Sequence, residues 1–265
     1  MTPLNEECGL IEWVENVRPL RDILLDIYKQ RNVKPDYGVI KEVLDAVTEN
    51  KEDVGRFEEE VLNGFPPVFH EWFLEMFPEP NAWFEARLRY TRSCAVMSMV
   101  GHVLGLGDRH GENILFQGET GGTLHVDFNC LFDKGLTFEK PERVPFRLTH
   151  NMVDAFGVYG YEGPFRRCCE LTLGALRQHE QALMPILETF VHDPTTDFIG
   201  KKKRAHPVVP DTPEGVLEAI RTKMRGLIEG ESVPLSVEGH VQLLINRATD
   251  PWNLAAMYIG WCAFL

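Results

Sequence analysis

The chain has 265 residues, 44% of them hydrophobic and 25% charged, and carries a formal net charge of −13. Such a length holds one large or two small domains with a substantial core, and the balance of apolar and charged residues is that of an ordinary soluble globular protein. The excess of acids argues against broad nucleic-acid binding by this segment, because phosphate contact wants a basic surface, and no apolar stretch is long enough to span a bilayer.

The first residues, MTPLNEECGLIEWVEN, lack the basic start and long apolar middle of a signal peptide. They read as a strand remnant, a turn and an extended run. Residues 17–31 are predicted helical, since Leu20, Ile23, Leu24, Ile27 and Tyr28 recur at intervals of three and four. Residues 36–48 and 53–62 read as two more helices, the second opening on acids that suit a helix N-terminus. Pro66-Pro67 starts an aromatic-rich helix, VFHEWFLEMF, in which His70 has no second ligand at helical spacing and reads as an edge histidine. Asn81 is the expected N-cap of a long helix reaching about Leu106, ended by Gly105 and Gly107. The second half of that helix is apolar nearly all round, as in a buried central helix, and His102 within it reads as a core histidine. Six cysteines without C-x-x-C spacing point to reduced, mostly buried thiols and a cytosolic or nuclear compartment.

Residues 101–129, GHVLGLGDRHGENILFQGETGGTLHVDFN, hold the densest chemistry. Ile114-Leu115-Phe116 and Leu124-His125-Val126 flank the turn-rich QGETGG, which predicts a β-hairpin. Pairing Gln117 with Thr123 leaves 118–122 as the loop and sets Asn113 opposite Asp127. An amide and a carboxylate so placed suit one Mg²⁺, a hard cation that takes one or two protein oxygens plus substrate phosphates. Asp108 precedes Asn113 in the same loop and is free for another task. In protein kinases an Asp-x4-Asn loop followed by Asp-Phe-Gly supplies the base and the metal ligands. Here the order is Asp108-Arg109-His110, and Asn129 stands where that motif has Gly. A blander reading of the same residues is a polar turn capped by a hairpin, with its acids merely solvated.

Residues 127–149 have no clean period and contain Gly135, Pro141 and Pro145, so a long functional loop is expected. Its Lys134, Lys140, Arg143 and Arg147 are offset by Asp133, Glu139 and Glu142. Residues 149–156 and 164–192 read as helices, the latter kinked at Pro185. Residues 193–213 form the clearest linker and include the basic run Lys201-Lys202-Lys203-Arg204, either a solvated linker or an import signal. Residues 213–230 are amphipathic, and 237–247 carry Val241, Leu244 and Ile245 on one face. Asp250-Pro251 then reads as an N-cap with Pro at the first helical position, ahead of the apolar end MYIGWCAFL.

GDRHGEN together with HVDFN resembles the phosphatidylinositol 3-kinase-related protein kinases and, more distantly, the phosphoinositide lipid kinases. NCLF, PFRLTHNMVDAFG and GYEGPFRRCCE look most like the ATR-type DNA-damage checkpoint branch. The tail LSVEGHVQLLINRATDPWNLAAMYIGWCAFL resembles the short C-terminal FATC domain of these kinases, which lipid kinases lack. The resemblance covers nearly the whole chain. It implies a mainly α fold with a small β-hairpin, that of a protein-kinase-like C-terminal lobe of the PI3/PI4-kinase type with the N-terminal lobe absent. It also implies a hinge remnant at 1–16, a lobe at 17–200 with catalytic loop 107–113 and activation loop 127–149, a linker at 201–232 and FATC at 233–265.

Carried over residue by residue, the resemblance makes Asp108 the base that orients the substrate hydroxyl and brings His110 to the transferring γ-phosphoryl. Asn113 and Asp127 would hold Mg²⁺ or Mn²⁺. Trp13 would stack on the adenine of ATP, with Leu115 and Val126 opposite and the Glu12 carbonyl and Val14 N–H at its polar edge. The mixed charge of 127–149 tilts the substrate toward protein, since an inositol polyphosphate wants a denser basic cluster. The family implies Ser or Thr followed by Gln as target, a nuclear location, a regulatory subunit and upstream helical repeats, with neither membrane nor direct nucleic-acid contact. No phosphate-covering Gly-rich loop or strand Lys precedes the hinge, so a C-terminal piece of a larger kinase, catalytically dead alone, is expected. An inactive interaction module or a lipid kinase is the alternative.

Overall fold

The computed structural model describes residues 2–5, 8–193, 209–210, 212–227 and 233–265. The basic run at 201–204 lies outside these. Helices dominate. Two two-residue strands, β1 (Thr2–Pro3) and β2 (Gly9–Leu10), pair near the start. An antiparallel sheet of order β3-β4-β5 joins β3 (Val17–Pro19), β4 (Ile114–Gln117) and β5 (Thr123–His125).

The helix expected from residue 17 begins three residues later, as α1 (Leu20–Gln30), because Val17–Pro19 is taken by β4. Its predicted apolar face is fully inside: Leu20, Ile23, Leu24, Ile27 and Tyr28 are all buried. α2 (Tyr37–Glu49) is capped by the Asp36 carboxylate, which accepts from the N–H groups of Gly38 and Val39. The helix expected over 53–62 is instead a chain of short turns, with α3 (Val54–Arg56) followed by a π turn at Phe57–Val61. That wide turn takes both Phe57 and Val61, the apolar members of an acidic stretch, fully into the core.

α4 (Phe69–Met76) packs its aromatic face on β4, with the Phe69 and Phe116 rings 4.8 Å apart. The long helix α5 (Pro80–Leu104) starts with Pro80 at its first position and Glu79 before it, so Asn81 lies inside the first turn and is not the cap. Proline lacks the N–H that a first turn leaves unpaired, which favours this earlier start. Gly105 ends the helix with φ 61°, and Leu106 N–H returns to the Gly101 carbonyl at 2.8 Å.

α6 (His150–Asp154) and α7 (Pro164–Gln178) follow the long loop, and α7 runs along α5. The single kinked helix expected over 164–192 is two helices parted at His179, and Pro185 sits within α8 (Glu180–Val191). α9 (Pro213–Arg225), capped by Thr212, buries Val216, Leu217, Ile220 and Met224. α10 (Val237–Thr249) and α11 (Pro251–Ala255) are capped by Ser236 and Asp250. Residues Trp261 to Leu265 are at most 4% exposed, with the Phe264 ring 4.8 Å from that of Phe65. The apolar end therefore faces the protein's own core, and among the described residues no helix is long and apolar enough to cross a membrane.

Candidate active site

The loop between α5 and β4 is set by backbone donors at both ends. α1 contributes one of its free first-turn amides, as Arg21 N–H donates to the Gly111 carbonyl at 3.0 Å. On the other side Gly107 N–H donates to the Cys130 carbonyl at 2.8 Å, and Phe132 N–H to Leu104 at 2.9 Å. Asp108 sits between these anchors with φ 58°, in the left-handed region that an L-residue rarely occupies. Its carboxylate lies 3.9 Å from His110 Nε2, and both side chains face a groove of about 820 Å³. The other walls are the 127–149 loop (Phe138, Lys140) and the C-terminal stretch (Met257, Tyr258).

The hairpin forms with a register one residue away from the expected one. Phe116 pairs with Thr123, Leu115 with Leu124 and Ile114 with His125. Gln117 closes on Gly122 instead of Thr123, because Gly121 adopts φ 71° and lets its N–H reach the Gln117 carbonyl at 2.8 Å. Gly121 also lies against α5, where an added Cβ would stand 2.9 Å from the Ala86 carbonyl oxygen. Asn113 is consequently opposite Val126, whose N–H donates to the Asn113 carbonyl at 3.1 Å, and not opposite Asp127. The shift has a second effect. Opposed residues share a face, so Leu115, Leu124, Val126 and Asn113 fall on one side while Ile114 and Phe116 go to the core. In the expected register Leu115 and Val126 would have been on opposite faces.

Asp127 lies beyond the end of β5, and its own φ of 56°, not the ladder, sets the direction of its side chain. A buried guanidinium joins the two motifs. Arg109 is 4% exposed and donates to Gly107 O at 2.9 Å, to Val126 O at 2.7 Å and to the Asp127 carbonyl. Burial pulls its pKa below the usual value, while the nearby Asp108 and Asp127 charges act the other way. His125 on β5 is driven down to about 4 by burial and by Arg109, so its imidazole is neutral at pH 7.

Oxygen donors suited to a hard cation are present. Asn113 is 7% exposed, and its Nδ2 donates to the Asp108 carbonyl at 2.9 Å, which leaves Oδ1 as the atom to face an ion. Asp127 keeps one oxygen after Oδ1 accepts the Asn129 N–H at 3.2 Å. Among the described residues no group of three or more His, Cys, Asp or Glu side chains forms a metal cage. The set fits Mg²⁺, which binds through few protein ligands and completes its shell with phosphate and water. Trp13 stands in the extended run after β2, is 86% exposed, and has no ring contact with the hairpin among the described residues.

A second buried guanidinium, Arg147, holds the C-terminal stretch whose Trp261 lines the groove. It donates to the carbonyls of Trp261, Cys262 and Leu265 at 2.7, 2.8 and 2.9 Å and lies over the Trp261 ring. Neither arginine stood out in the sequence. An Arg within a polar loop, or in a run of mixed charge, looks like a solvated cation, and only its burial reveals the carbonyls it holds.

A family model described as phosphatidylinositol 3- and 4-kinase matches residues 1–199, and a FATC domain model matches residues 234–265. The chain belongs to the phosphatidylinositol 3- and 4-kinase family and carries a FATC domain. It is 55% identical to protein kinase rad3 of Schizosaccharomyces pombe over 262 residues, 99% of this chain and 11% of that protein. It is 48% identical to serine/threonine-protein kinase ATR of Arabidopsis thaliana, over 98% of this chain and 10% of the relative. Among solved structures, the FAT and kinase domain of CtTel1 superposes with a TM-score of 0.81 at 37% identity, covering 97% of this chain and 18% of the other. The chain thus spans about a tenth of the length of the curated relatives it matches.

Proposed function

We propose that this chain is the catalytic segment of a serine/threonine protein kinase that passes the γ-phosphoryl group of ATP to protein hydroxyls in DNA-damage checkpoint signalling. The observation that carries the reading is the cross-link made by Arg109, which ties the Asp108–Asn113 loop to the Asp127 turn. Asp108 would accept the hydroxyl proton as the phosphoryl group leaves ATP, and His110, beside it, would meet the transferring group. Asn113 and Asp127 would hold a divalent ion, Mg²⁺ or Mn²⁺, which neutralises phosphate charge when bound. Leu115 and Val126, on one half-exposed face, would form the adenine floor, with Trp13 and the Val14 N–H brought opposite in the nucleotide-bound state. Phosphoryl transfer asks little covalent chemistry of a protein, so alignment and charge neutralisation supply the rate.

A protein substrate is favoured over an inositol polyphosphate by the state of three of the four cations in the 127–149 loop, Lys134 being exposed. Lys140 is paired with Asp45 at 2.6 Å, Arg143 lies over the Trp252 ring, and Arg147 is buried on the tail carbonyls. None of these three stands ready for a phosphate cluster. Glutamine after the target Ser or Thr, a nuclear location, upstream helical repeats and a regulatory subunit belong to the same proposal, on the likeness to the rad3 and ATR kinases.

The test is γ-phosphate transfer to a Ser-Gln peptide by the full-length protein that carries this segment. Asp108→Ala should lower kcat by about 10²–10⁴-fold with ATP binding little changed. Asp127→Ala should abolish the response to added Mg²⁺. Near-normal turnover in either variant would overturn the assignment.

A further inference from the structure

Glu142 sits near the end of the 127–149 loop, half-buried on the wall of the groove that Asp108 and His110 face. Both of its carboxylate oxygens accept the same donor, the backbone N–H of Asp108, at 3.0 Å each. The carboxylate occupies a slot walled by two glycines. A Cβ on either Gly107 or Gly135 would overlap Oε2. The slot is closed by the loop's own backbone, since Glu142 N–H donates to the Gly135 carbonyl at 3.1 Å and Gly107 N–H to Cys130. The charged groups facing it are Asp108 and Arg109 of the catalytic loop, with the Cys130 thiol alongside, and burial holds the carboxyl above its ordinary range. A half-buried carboxylate with no ion-pair partner among the described residues is unfavourable, so its place in a fitted slot calls for a compensating role. The residue it grips is the one with the left-handed backbone, a conformation that persists only where the surroundings over-determine it.

We propose that Glu142 is a positioning residue: its carboxylate grips the Asp108 amide, keeps that backbone left-handed, and makes the aim of the Asp108 side chain into the groove depend on the folded state of the 127–149 loop. The inference rests on Asp108 as the base. A loop displaced or unfolded by a regulator would withdraw Glu142 and release the base, while Arg109 still holds the Asp127 carbonyl and the Val126 N–H still holds that of Asn113. Order in the substrate-side loop thereby controls turnover more than nucleotide binding.

Three measurements separate the grip from its catalytic consequence. In the 265-residue chain, amide hydrogen exchange at Asp108 should quicken about 10-fold or more in Glu142→Ala, while α5 amides such as Met99 keep their protection. In Glu142→Gln, which keeps the shape, the Asp108 amide proton resonance should move upfield as a charged acceptor is replaced by a neutral one. An unmoved resonance in Glu142→Gln overturns the grip, and this variant decides if Glu142→Ala fails to fold. In the full-length kinase, Glu142→Ala should lose roughly 10–100-fold in kcat with the KM for ATP unchanged, and Glu142→Gln should recover part of it. A Glu142→Gln variant with the shifted amide but wild-type kcat, in an enzyme that Asp108→Ala silences, would refute the positioning role. Turnover that survives Asp108→Ala instead refutes the reading of the base and leaves the grip to the amide data.

Discussion

At the scale of single residues, the site is held by charged side chains that serve backbone groups. Arg147 is the clearest case. It is 2% exposed, and burial draws its pKa down to about 10, so it remains a cation at neutral pH. Its planar fork reaches three carbonyls of the last turn at once, which a single ammonium does not reproduce. Arg147→Ala should therefore destabilise the chain by on the order of 3 kcal/mol, since buried acceptors are left unpaired. Arg147→Lys should restore only a minor part. Urea unfolding followed by tryptophan fluorescence measures both. A variant within about 0.5 kcal/mol of the parent, inside the range of ordinary surface changes, would show that the carbonyls find other donors.

Among the elements, the hairpin determines which side chains meet, and its loop determines the hairpin. Gly121 both adopts a positive φ and lies on the backbone of α5. Gly121→Ala meets two penalties, the left-handed strain of an L-residue and contact with the Ala86 carbonyl. We expect a loss of roughly 2–4 kcal/mol from these together. Relaxation to the longer form is opposed, because that register would turn Val126 away from Leu115. Slippage of that kind would appear as altered cross-strand contacts between Leu115 and residues 124–126 in NMR spectra. Gly118→Ala, in the same loop but at a residue without positive φ, is the control; its Cβ meets only the flexible Asn16 side chain.

For the molecule as a whole, α5 and α10 share a seam of buried histidines. His102 of α5 and His240 of α10 lie with ring centroids 5.5 Å apart, and Arg177 Nη2 is 3.1 Å from His240 Nδ1. Burial lowers both, His240 to about 4, with Lys223, Arg177 and Arg247 adding to the effect. His125 is also lowered to about 4, and His150 is lowered as well. The unfolded chain thus binds more protons than the folded one between its ordinary histidine value near 6.5 and about 4. Stability is complete above that window and falls as the pH drops through it. Acidification from pH 7 to 5 should remove on the order of 3 kcal/mol in urea titrations, and His240→Gln should flatten the curve. A level profile over that range would contradict the burial of these rings.

Near-neighbour chemistry made much of this protein readable from its residues. The three-and-four spacing of α1, the Asp250-Pro251 start of α11, the glycine end of α5 and the two short motifs each depend on groups within a turn or two of one another. So does the existence of the hairpin. Its register did not follow, because that was settled by α5, the helix that backs Gly121. The start of α1 was likewise decided by β4, which claims Val17–Pro19 from a stretch with good helical spacing. Arg109, Glu142 and Arg147 looked like solvated loop charges until the fold closed over them. Periodicity and capping act along the chain, whereas register, burial of a charge and the partner of a carboxylate are set by which surfaces become adjacent, and only the packed tertiary structure brings those surfaces together.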